Sequence, residues 1–285
     1  MPEIHETIAG FRATLELERM EGRTVGLVPT MGFLHEGHAS LMRRASAENE
    51  TAAVTIFVNP LQFAASEDLS DYPRDLDHDL ALAADCGIAH VFVPSVLEMY
   101  PEPMATSVHV DGVTARFEGA SRPEHFAGVA TVVAKLLAIA GPCRAYFGEK
   151  DFQQLAVVRR MARDLSMPAD IVGCPIVRDV DGLALSSRNV YLDPTQRAAA
   201  PVLHRALEAA AELVRSGVTD PATVRDCLAD TIEGEPAAAL DYADVVDAAT
   251  LEPVAEVAAG HRLLVAAAFG STRLLDNLEV PGPAR

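Results

Sequence analysis

From Gly22 to about Ile176, short apolar runs alternate along the chain with segments in which apolar residues have helical spacing. The runs are VGLV, AAVTIFV, HVFV, RAYFG and DIVGCPIV, and the helical segments include SLMRRASAEN, DLDHDLALAADCG, HFAGVATVVAKLLAIAG and QQLAVVRRMARDL. Strands that alternate with helices form parallel sheets whose faces the helices cover. The pattern therefore predicts an α/β fold with a doubly wound, Rossmann-like parallel sheet.

The pattern changes after about Ile176. An alanine-rich helical pattern over 194–216 and a second helix over 220–232 are followed by the shorter apolar runs YADVV and LLVAAAF. Helices followed by strands in this way are typical of an α+β unit. We therefore expect a Rossmann-like domain over 1–176 and a smaller α+β domain over 177–285.

Polar loops follow several of the apolar runs. These loops are PTMGFLHEGH, NPLQF, FGEKD and VRDVDG. In an open parallel sheet, ligands bind at the carboxyl ends of the strands, because the loops that follow the strands gather at that edge. The sequence thus predicts that the chemistry of this protein lies in these loops.

The charge balance narrows the classes of ligand. The 285 residues include 23 Lys and Arg against 41 Asp and Glu, which gives a formal net charge of −18. Such an acidic surface repels nucleic acid backbones and anionic lipids. The chain also has no Trp and only 5% aromatic residues, so a surface that stacks on single-stranded bases is a poor fit. We expect neither nucleic acid nor a membrane as partner, and any anionic substrate needs local cations.

The cysteines and the N-terminal segment bear on location. Cys86, Cys143, Cys174 and Cys227 form no CxxC pair and have no His at zinc-finger spacing, which predicts reduced thiols in the core. The segment MPEIHETIAGF has no basic region followed by an apolar stretch, and no apolar run approaches the roughly 18 residues of a spanning helix. The sequence therefore predicts a cytoplasmic protein.

His35 and His38 stand three residues apart in PTMGFLHEGH. If a helix starts near Gly37, both imidazoles can point at the same place, and the unpaired amides of the first turn add to an anion site. Two histidines at a helix start suit a phosphate whose charge rises during transfer. Two other interpretations stay open at this point: a capped helix start with incidental surface histidines, and a metal pair that lacks a third ligand.

The segment PTMGFLHEGH is similar to the HxGH element of the nucleotidyltransferase superfamily, in the form found in the pantothenate synthetase family. Further motifs resemble that family in the same order along the chain: TIFVNPLQF at 55–63, DYPRDLDHDL at 71–80, RPEHFAGVATVV at 122–133, FGEKDFQQL at 147–155, VRDVDGLALSSRN at 177–189 and FGSTRLLDN at 269–277. The resemblance thus covers nearly all of the chain.

The resemblance implies a carboxylate–amine ligase. The implied reaction is the ATP-dependent condensation of pantoate with β-alanine to pantothenate, through a pantoyl adenylate, with release of AMP and pyrophosphate. Mg²⁺ would arrive with ATP and have few protein ligands. The family pattern also implies a homodimer. Two alternatives are a nucleotidyltransferase that acts on a phosphorylated acceptor and a nucleotide-binding sensor on a retired enzyme scaffold.

The resemblance also implies roles for individual residues. The catalytic residues that it implies are His35, His38 and Lys150. The ATP-binding residues that it implies lie in the loops and in the SSR tripeptide: Pro29, Thr30, Met31, Gly37, His38, Gly148, Lys150, Asp151, Val177, Leu185, Ser186, Ser187 and Arg188. Its substrate-binding residues are Met31, Asn59, Gln62 and Gln154. No protein side chain is assigned to a metal.

For several of these residues, an ordinary structural role stays open. Lys150 could be a surface lysine that pairs with a neighbouring carboxylate, and Asn59 could be a turn residue before a proline. The SSRN segment could be a solvated turn. Leu185 stands where the family usually has Met, a change that conserves volume. Gln153 should face elsewhere on its helix than Gln154.

Two further groups of charged residues are expected to have structural roles. Asp75, Asp77 and Asp79 are predicted to form a solvated helix start, because charge runs usually face water. Arg122 and His125 are predicted to cap the helix that follows them or to line the entrance to the site, with the structural role favoured.

Overall fold

The computed structural model describes residues 1–63 and 72–282. Asp71, the first residue of the motif DYPRDLDHDL, lies outside the described residues. The described chain forms two compact units. The first unit comprises Met1–Glu149 and Gln153–Pro175, and the second comprises Lys150–Phe152 and Ile176–Arg285.

The first unit contains a six-stranded sheet whose paired strands are all parallel. The strands are β1 (Glu3–His5), β2 (Val25–Thr30), β3 (Thr51–Ile56), β4 (His90–Phe92), β5 (Cys143–Gly148) and β6 (Ala169–Cys174), in the order β1-β4-β3-β2-β5-β6. The central strands β2 and β3 are buried almost throughout, because helices cover both faces of a parallel sheet. This burial explains why their sequences are continuous apolar runs.

Within residues 1–63 and 72–175, helices connect the strands of this sheet. They are α1 (Ile8–Met20), α2 (Glu36–Glu48), α3 (Leu76–Asp85), α4 (Val96–Met99), α5 (Glu118–Ser121), α6 (His125–Ala140) and α7 (Phe152–Asp164). The predicted α/β fold is confirmed. Strand β1 and helix α1 precede the first apolar run and were not predicted.

The strand order reverses between β2 and β5. From β2 the chain proceeds through β3 towards β1, whereas β5 pairs with the other edge of β2 and is followed by β6. Ligands in doubly wound sheets bind at such a switch point, outside the carboxyl ends of the strands. Here those ends are Thr30 of β2 and Gly148 of β5, which lead into PTMGFLHEGH and FGEKD.

The second unit contains a three-stranded antiparallel sheet and, in its described part, three α-helices. The strands are β7 (Ala239–Val246), β8 (Arg262–Phe269) and β9 (Thr272–Glu279), paired in that order. The helices are α8 (Pro194–Ala199), α9 (Val202–Arg215) and α10 (Pro221–Glu233). The prediction of one helix over 194–216 was wrong, since Pro201 separates two helices and has no N–H for a helical hydrogen bond. The predicted α+β class is confirmed.

All four cysteines are free thiols, as predicted. Cys86 and Cys174 are buried in the core of the first unit, and Cys227 is half-buried and packs against the core of the second. Cys143, the first residue of β5, is half-buried rather than fully enclosed. Among the helices that the structure describes, none is long and apolar enough to cross a membrane.

Candidate active site

His35 and His38 lie together at the start of α2, with ring centroids 4.1 Å apart. His35 is the N-cap residue, and its Nδ1 accepts a hydrogen bond from the backbone N–H of Gly37 at 3.1 Å. The Nδ1 of His38 accepts in turn from the backbone N–H of His35 at 3.3 Å. Because both Nδ1 atoms act as acceptors, the proton of each neutral ring resides on Nε2. The helix start thus fixes one tautomer for both histidines.

The loop between β2 and α2 contains two residues in the left-handed region and is bound by a side chain of α3. Gly32 and Phe33 both have positive φ, at 86° and 52°. The carboxylate of Asp79, on α3, accepts hydrogen bonds from the N–H of Phe33 at 2.9 Å and of Leu34 at 2.7 Å. A Cβ at Gly32 would lie 2.9 Å from Asp79 Oδ2, so the glycine permits this close approach.

Asp79 therefore corrects the prediction of a solvated helix start. Asp75 and Asp77 are exposed, but Asp79 is only 1% exposed. Burial raises the pKa of Asp79 from its ordinary value, and the hydrogen bonds from Leu34 and Phe33 oppose that rise. The buried carboxylate of Asp79 thus takes the place of water as the hydrogen-bond acceptor for two backbone amides of the loop.

Replacement of Asp79 by alanine is expected to lower the free energy of unfolding by about 2 kcal/mol or more, because two buried amides lose their acceptor. Chemical denaturation of the whole chain measures this change. Asp77→Ala on the exposed side of α3 is the control, and its cost should stay below about 1 kcal/mol. Equal losses for the two variants would contradict the role assigned to Asp79.

Gln62 is held beside Met31 at the end of the neighbouring strand. The Nε2 of Gln62 donates to the Sδ of Met31 at 2.8 Å, and its Oε1 accepts from the Nδ2 of Asn59 at 3.2 Å. Within the described part of the chain these are its side-chain partners. A glutamine amide can donate twice and accept twice, so one N–H and one lone pair of Gln62 are not used by any residue in 1–63 or 72–282.

Asn59, in contrast to Gln62, is only 1% exposed, and its amide makes all of its hydrogen bonds within the protein. Its Nδ2 donates to Gln62 and to the carbonyl of Gly128, and its Oδ1 accepts from the N–H of Leu61 and the hydroxyl of Tyr100. These four bonds exhaust the capacity of an asparagine amide. Asn59 thus orients Gln62 and also caps the short turn after Pro60.

The backbone of Gln62 is bound from α6 and its preceding segment. Its carbonyl accepts from the Nη2 of Arg122 at 3.3 Å and from the Nδ1 of His125 at 3.0 Å. At Gly128, a Cβ would lie 2.1 Å from the carbonyl oxygen of Leu61. The helix therefore packs directly on the backbone of the NPLQ segment. Arg122 and His125 thus contact the backbone of Gln62, a structural contact other than the helix cap that was predicted.

Gln153 and Gln154 lie in the first turn of the same helix, α7, but differ in their surroundings. Gln153 is buried, donates to the carbonyls of Val113 and Arg116, and accepts from the N–H of Glu118. Gln154 is half-buried and makes no side-chain hydrogen bond with the residues that the structure describes. Only Gln154 of this pair can offer its amide to a ligand.

The remaining nucleotide-binding candidates of the first unit lie at strand and helix ends. Pro29 and Thr30 are the last residues of β2, and the hydroxyl of Thr30 donates to the carbonyl of Thr55 at 2.7 Å. Gly148 is the last residue of β5, where a Cβ would meet no atom of the described chain within 4 Å. Gly37 lies in the first turn of α2. These positions present backbone rather than side chains.

Lys150 belongs to the second unit, where it lines a cavity together with Ser186 and Asn189. Its Nζ lies 3.5 Å from a carboxylate oxygen of Asp151, so the neighbour pairing that the sequence left open does occur. The backbone carbonyl of Lys150 accepts a hydrogen bond from the Nδ2 of Asn277 at 2.9 Å. The structure thus brings Lys150 and Ser186 together.

The segment from Val177 to Leu185 folds back on itself before the SSR tripeptide. The N–H of Leu185 donates to the carbonyl of Val177 at 2.9 Å, and both residues are half-buried. Ser186 caps a short 3-10 helix by accepting from the N–H of Arg188 at 3.3 Å. Ser187 is half-buried, and Arg188 is exposed to solvent. The tripeptide is thus a capped helix start rather than an irregular turn.

A sequence model of the family described as pantoate-beta-alanine ligase matches residues 3–279. The chain belongs to this family. Curated relatives include two pantothenate synthetases. The enzyme of Acetivibrio thermocellus is 50% identical over 96% of this chain and 98% of its own chain. The enzyme of Koribacter versatilis is 51% identical over 98% of this chain and 97% of its own chain.

Solved structures of pantoate–β-alanine ligases have the same fold. The pantothenate synthetase of Thermus thermophilus superimposes with a TM-score of 0.93 at 50% identity, over 98% of this chain and 99% of its own. The ligase of Francisella tularensis, described as complexed with beta-gamma ATP and β-alanine, gives a TM-score of 0.79 at 31% identity over the full length of both chains.

Several residues that shape the site in this family member were missed by sequence reasoning or given another role. Asp79 was expected in solvent, and neither Gly128 nor Tyr100 was singled out. Each acts through a contact with a loop distant in the sequence. The burial of Asp79 had one signal, since it precedes the buried Ala83 by one helical turn and therefore shares its face of α3. Gly128 and Tyr100 had none.

Proposed function

We propose that the chain catalyses the ATP-dependent condensation of pantoate with β-alanine to pantothenate, releasing AMP and pyrophosphate. Membership of the pantoate–β-alanine ligase family supports this function. The observation that carries it is the fixed tautomer of His35 and His38, because two Nε2–H donors at a helix start suit a phosphate on which charge builds.

The reaction proceeds in two halves. A carboxylate is a poor electrophile, so the pantoate carboxylate first attacks the α-phosphorus of ATP, and pyrophosphate leaves. The resulting mixed anhydride is open to the amine of β-alanine, which forms the amide bond and releases AMP. No covalent enzyme nucleophile is needed, so positioning and charge stabilisation carry the catalysis.

The phosphate groups are assigned to both neutral and charged side chains. His35 and His38 donate to the phosphate that is attacked, and Lys150 offsets charge on the α-phosphate and the leaving pyrophosphate. Ser186, Ser187 and Arg188 supply hydroxyls and a guanidinium for the remaining phosphate oxygens. Lys150 and Ser186 already line one cavity of the second unit, which supports their joint assignment.

The rest of the nucleotide is assigned to backbone and apolar groups. Pro29, Thr30, Met31 and Gly37 offer backbone around β2 and the start of α2, and Gly148 leaves room for close approach. Asp151 accepts from the ribose hydroxyls. Val177 and Leu185 border the base.

We assign pantoate to a pocket in which uncharged polar side chains bind it. Gln62 and Gln154 bind its hydroxyl and carboxylate oxygens, since a glutamine amide both donates and accepts without adding charge. Met31 forms the apolar wall and fixes Gln62 by accepting its N–H. We assign Asn59 to positioning Gln62, because its amide is fully bonded within the protein.

Gly128→Ala is expected to raise the KM for pantoate while it leaves the KM for ATP nearly unchanged. The added methyl group would lie 2.1 Å from the carbonyl oxygen of Leu61 and must displace the segment that carries Gln62. Such overpacking typically costs about 1–3 kcal/mol. Gly282→Ala, where the nearest atom is 4.0 Å away, is the matched control in steady-state assays. A parallel rise in both KM values would argue against a local effect on the pantoate pocket.

Mg²⁺ is proposed to enter with ATP. His35 and His38 offer ring nitrogens and the helix start offers N–H groups, whereas Mg²⁺ prefers oxygen ligands. These residues therefore do not fit a resident magnesium site, and phosphate oxygens and water supply the ligands. The ion, when bound, neutralises charge on the phosphates. The family pattern further suggests a homodimer, which sedimentation velocity of the purified chain would test.

The decisive experiment is exchange of labelled pyrophosphate into ATP. With pantoate and MgATP present and β-alanine absent, we expect label to appear in ATP, because the first half-reaction is reversible and needs no amine. Exchange that required β-alanine would replace the adenylate intermediate by a concerted reaction of three substrates. A nucleotidyltransferase would instead leave its nucleotide on the acceptor, so free AMP in the complete reaction separates the two functions.

A further inference from the structure

A cluster of potential metal ligands lies in the first unit, on strands β1 and β4 at one edge of the sheet. Glu3 and His90 are register partners in this parallel pair, and His5 lies two residues after Glu3, on the same face of β1. The two histidines are 7% and 6% exposed, whereas the side chain of Glu3 is 62% exposed. The cluster is thus a buried imidazole pair with one carboxylate that reaches solvent.

The ligand atoms of the three residues all lie within 4.8 Å of one another. The Nε2 of His5 is 3.3 Å from the Nδ1 of His90. A carboxylate oxygen of Glu3 lies 3.9 Å from His5 Nε2, and its other oxygen lies 3.6 Å from His90 Nδ1. Two nitrogens bound tetrahedrally to zinc at about 2.0–2.1 Å are separated by about 3.3 Å. The imidazole pair already has this separation. The exposed Glu3 side chain must rotate so that one of its oxygens comes to a similar distance from both nitrogens, a movement of roughly half an ångström or more.

The second nitrogen of His90 faces another carboxylate. Its Nε2 lies 3.4 Å from an oxygen of Glu18, on helix α1, and the other oxygen of Glu18 is bound by Arg23. A histidine that binds metal through one nitrogen usually donates the other N–H to a carboxylate, which fixes its tautomer and orientation. With Nε2 donating to Glu18, the Nδ1 of His90 presents its lone pair towards His5 and Glu3.

The surroundings also suit a resident cation. Glu3 and Glu18 carry two negative charges and Arg23 one positive charge, so the group has a net negative charge while both imidazoles are neutral. The rings of Phe11 and Phe92, which are fully buried and stack 4.7 Å apart, lie beside His5 and form an apolar wall. Such a wall limits the access of water to a metal site, and exposed Glu3 leaves an entry path.

We propose that Glu3, His5 and His90 bind a divalent transition metal of zinc-like chemistry, with water as the fourth ligand and Glu18 as the carboxylate that orients His90. Imidazole nitrogens with one carboxylate oxygen suit Zn²⁺ and Co²⁺ and are a poor fit for Mg²⁺. The metal joins β1, an edge strand of only three residues, to β4. Its role is structural, and it is independent of the ligase reaction.

The test uses the full chain after treatment with a chelator. On titration with CoCl₂, the wild type should bind one Co²⁺ per chain with the intense visible absorption of tetrahedral cobalt, and ZnCl₂ should displace it. His5→Gln and His90→Gln should abolish that absorption. His109→Gln is the matched control, since His109 is exposed and outside the cluster, and it should behave as the wild type. Failure of the wild type to give tetrahedral absorption would overturn the proposal.

A thermal measurement separates metal binding from a hydrogen-bonded imidazole pair. Excess Zn²⁺ should raise the unfolding temperature of the wild type by roughly 5 °C and leave that of His5→Gln unchanged. Because a buried histidine variant could fail to fold, Glu3→Gln on the exposed side and Glu18→Gln complete the set. Each should weaken zinc binding about 10-fold or more in competition with a chromophoric chelator. Equal zinc affinity in the wild type and Glu3→Gln, or a zinc-induced shift that persists in His5→Gln, would refute the site.

Discussion

Replacing His38 by alanine is expected to lower pantoate-dependent exchange of pyrophosphate into ATP about 100- to 1,000-fold. The loss corresponds to about 2.7–4 kcal/mol, the typical contribution of one preorganised donor at a developing charge. His38 is preorganised because its Nδ1 accepts from the backbone of His35, which leaves Nε2 as the protonated nitrogen. Lys150→Ala should have an effect of similar size, since it removes a positive charge close to the reacting phosphates.

Controls for these variants follow from the chemistry of each side chain. His109→Ala removes an exposed histidine and should leave exchange at the wild-type rate. Lys150→Arg keeps the charge but replaces a compact ammonium with a planar guanidinium, so it should recover only part of the activity. If exchange persisted undiminished in both alanine variants, the assignment of the phosphate site would be wrong, although the family membership would stand.

Gln62→Ala and Gln154→Ala are expected to weaken pantoate binding by about 1–3 kcal/mol each, because substrate oxygens enclosed in the pocket lose a hydrogen-bond partner. Calorimetric titration with pantoate and, separately, with ATP measures the effect. ATP affinity should change little, since neither glutamine is assigned to the nucleotide. The same loss of affinity for both ligands would sink the assignment.

The neighbouring glutamine provides a matched comparison for that experiment. Gln153→Ala removes an amide that binds Val113, Arg116 and Glu118 rather than substrate. It should lower the unfolding temperature and leave the ratio of pantoate to ATP affinity unchanged. Gln62 and Gln154 should show the reverse pattern. The three variants together distinguish a role in the pocket from a role in the fold.

The alternation of strands and helices was predictable because parallel strands are buried on both faces and read as continuous apolar runs. Strand β1 gave no such signal, since Glu3–His5 is short and only His5 is buried. Pro201 could have marked the break between α8 and α9, but the alanine-rich pattern on both sides of it favoured a single helix. Local pattern thus predicts the strands that form apolar runs, including the edge strand β6, better than a short and mostly exposed strand such as β1.

The candidate site divides in the same way. His35, His38 and Gln62 lie in motifs whose spacing or resemblance singles them out. Asp79 binds the backbone of Phe33, 46 residues earlier in the chain, and no local pattern reveals a contact of that range. Residue 128 must be small because the carbonyl of Leu61 lies against it. That contact forms only when α6 packs on the NPLQ segment. The sequence therefore singles out the residues that are proposed to bind ligands, whereas the residues that support them are recognised only from the structure.

Lys150–Phe152 interrupts the first unit in sequence but packs within the second. The Lys150 carbonyl is bound by Asn277, and the guanidinium of Arg262 lies 4.2 Å from the ring centre of Phe152. A recombinant fragment that began at residue 177, the predicted domain boundary, would lack both of these partners for two buried polar side chains of its own sheet. This C-terminal fragment should therefore express poorly by itself, and a synthetic peptide that spans 148–154 should improve its solubility when added in trans.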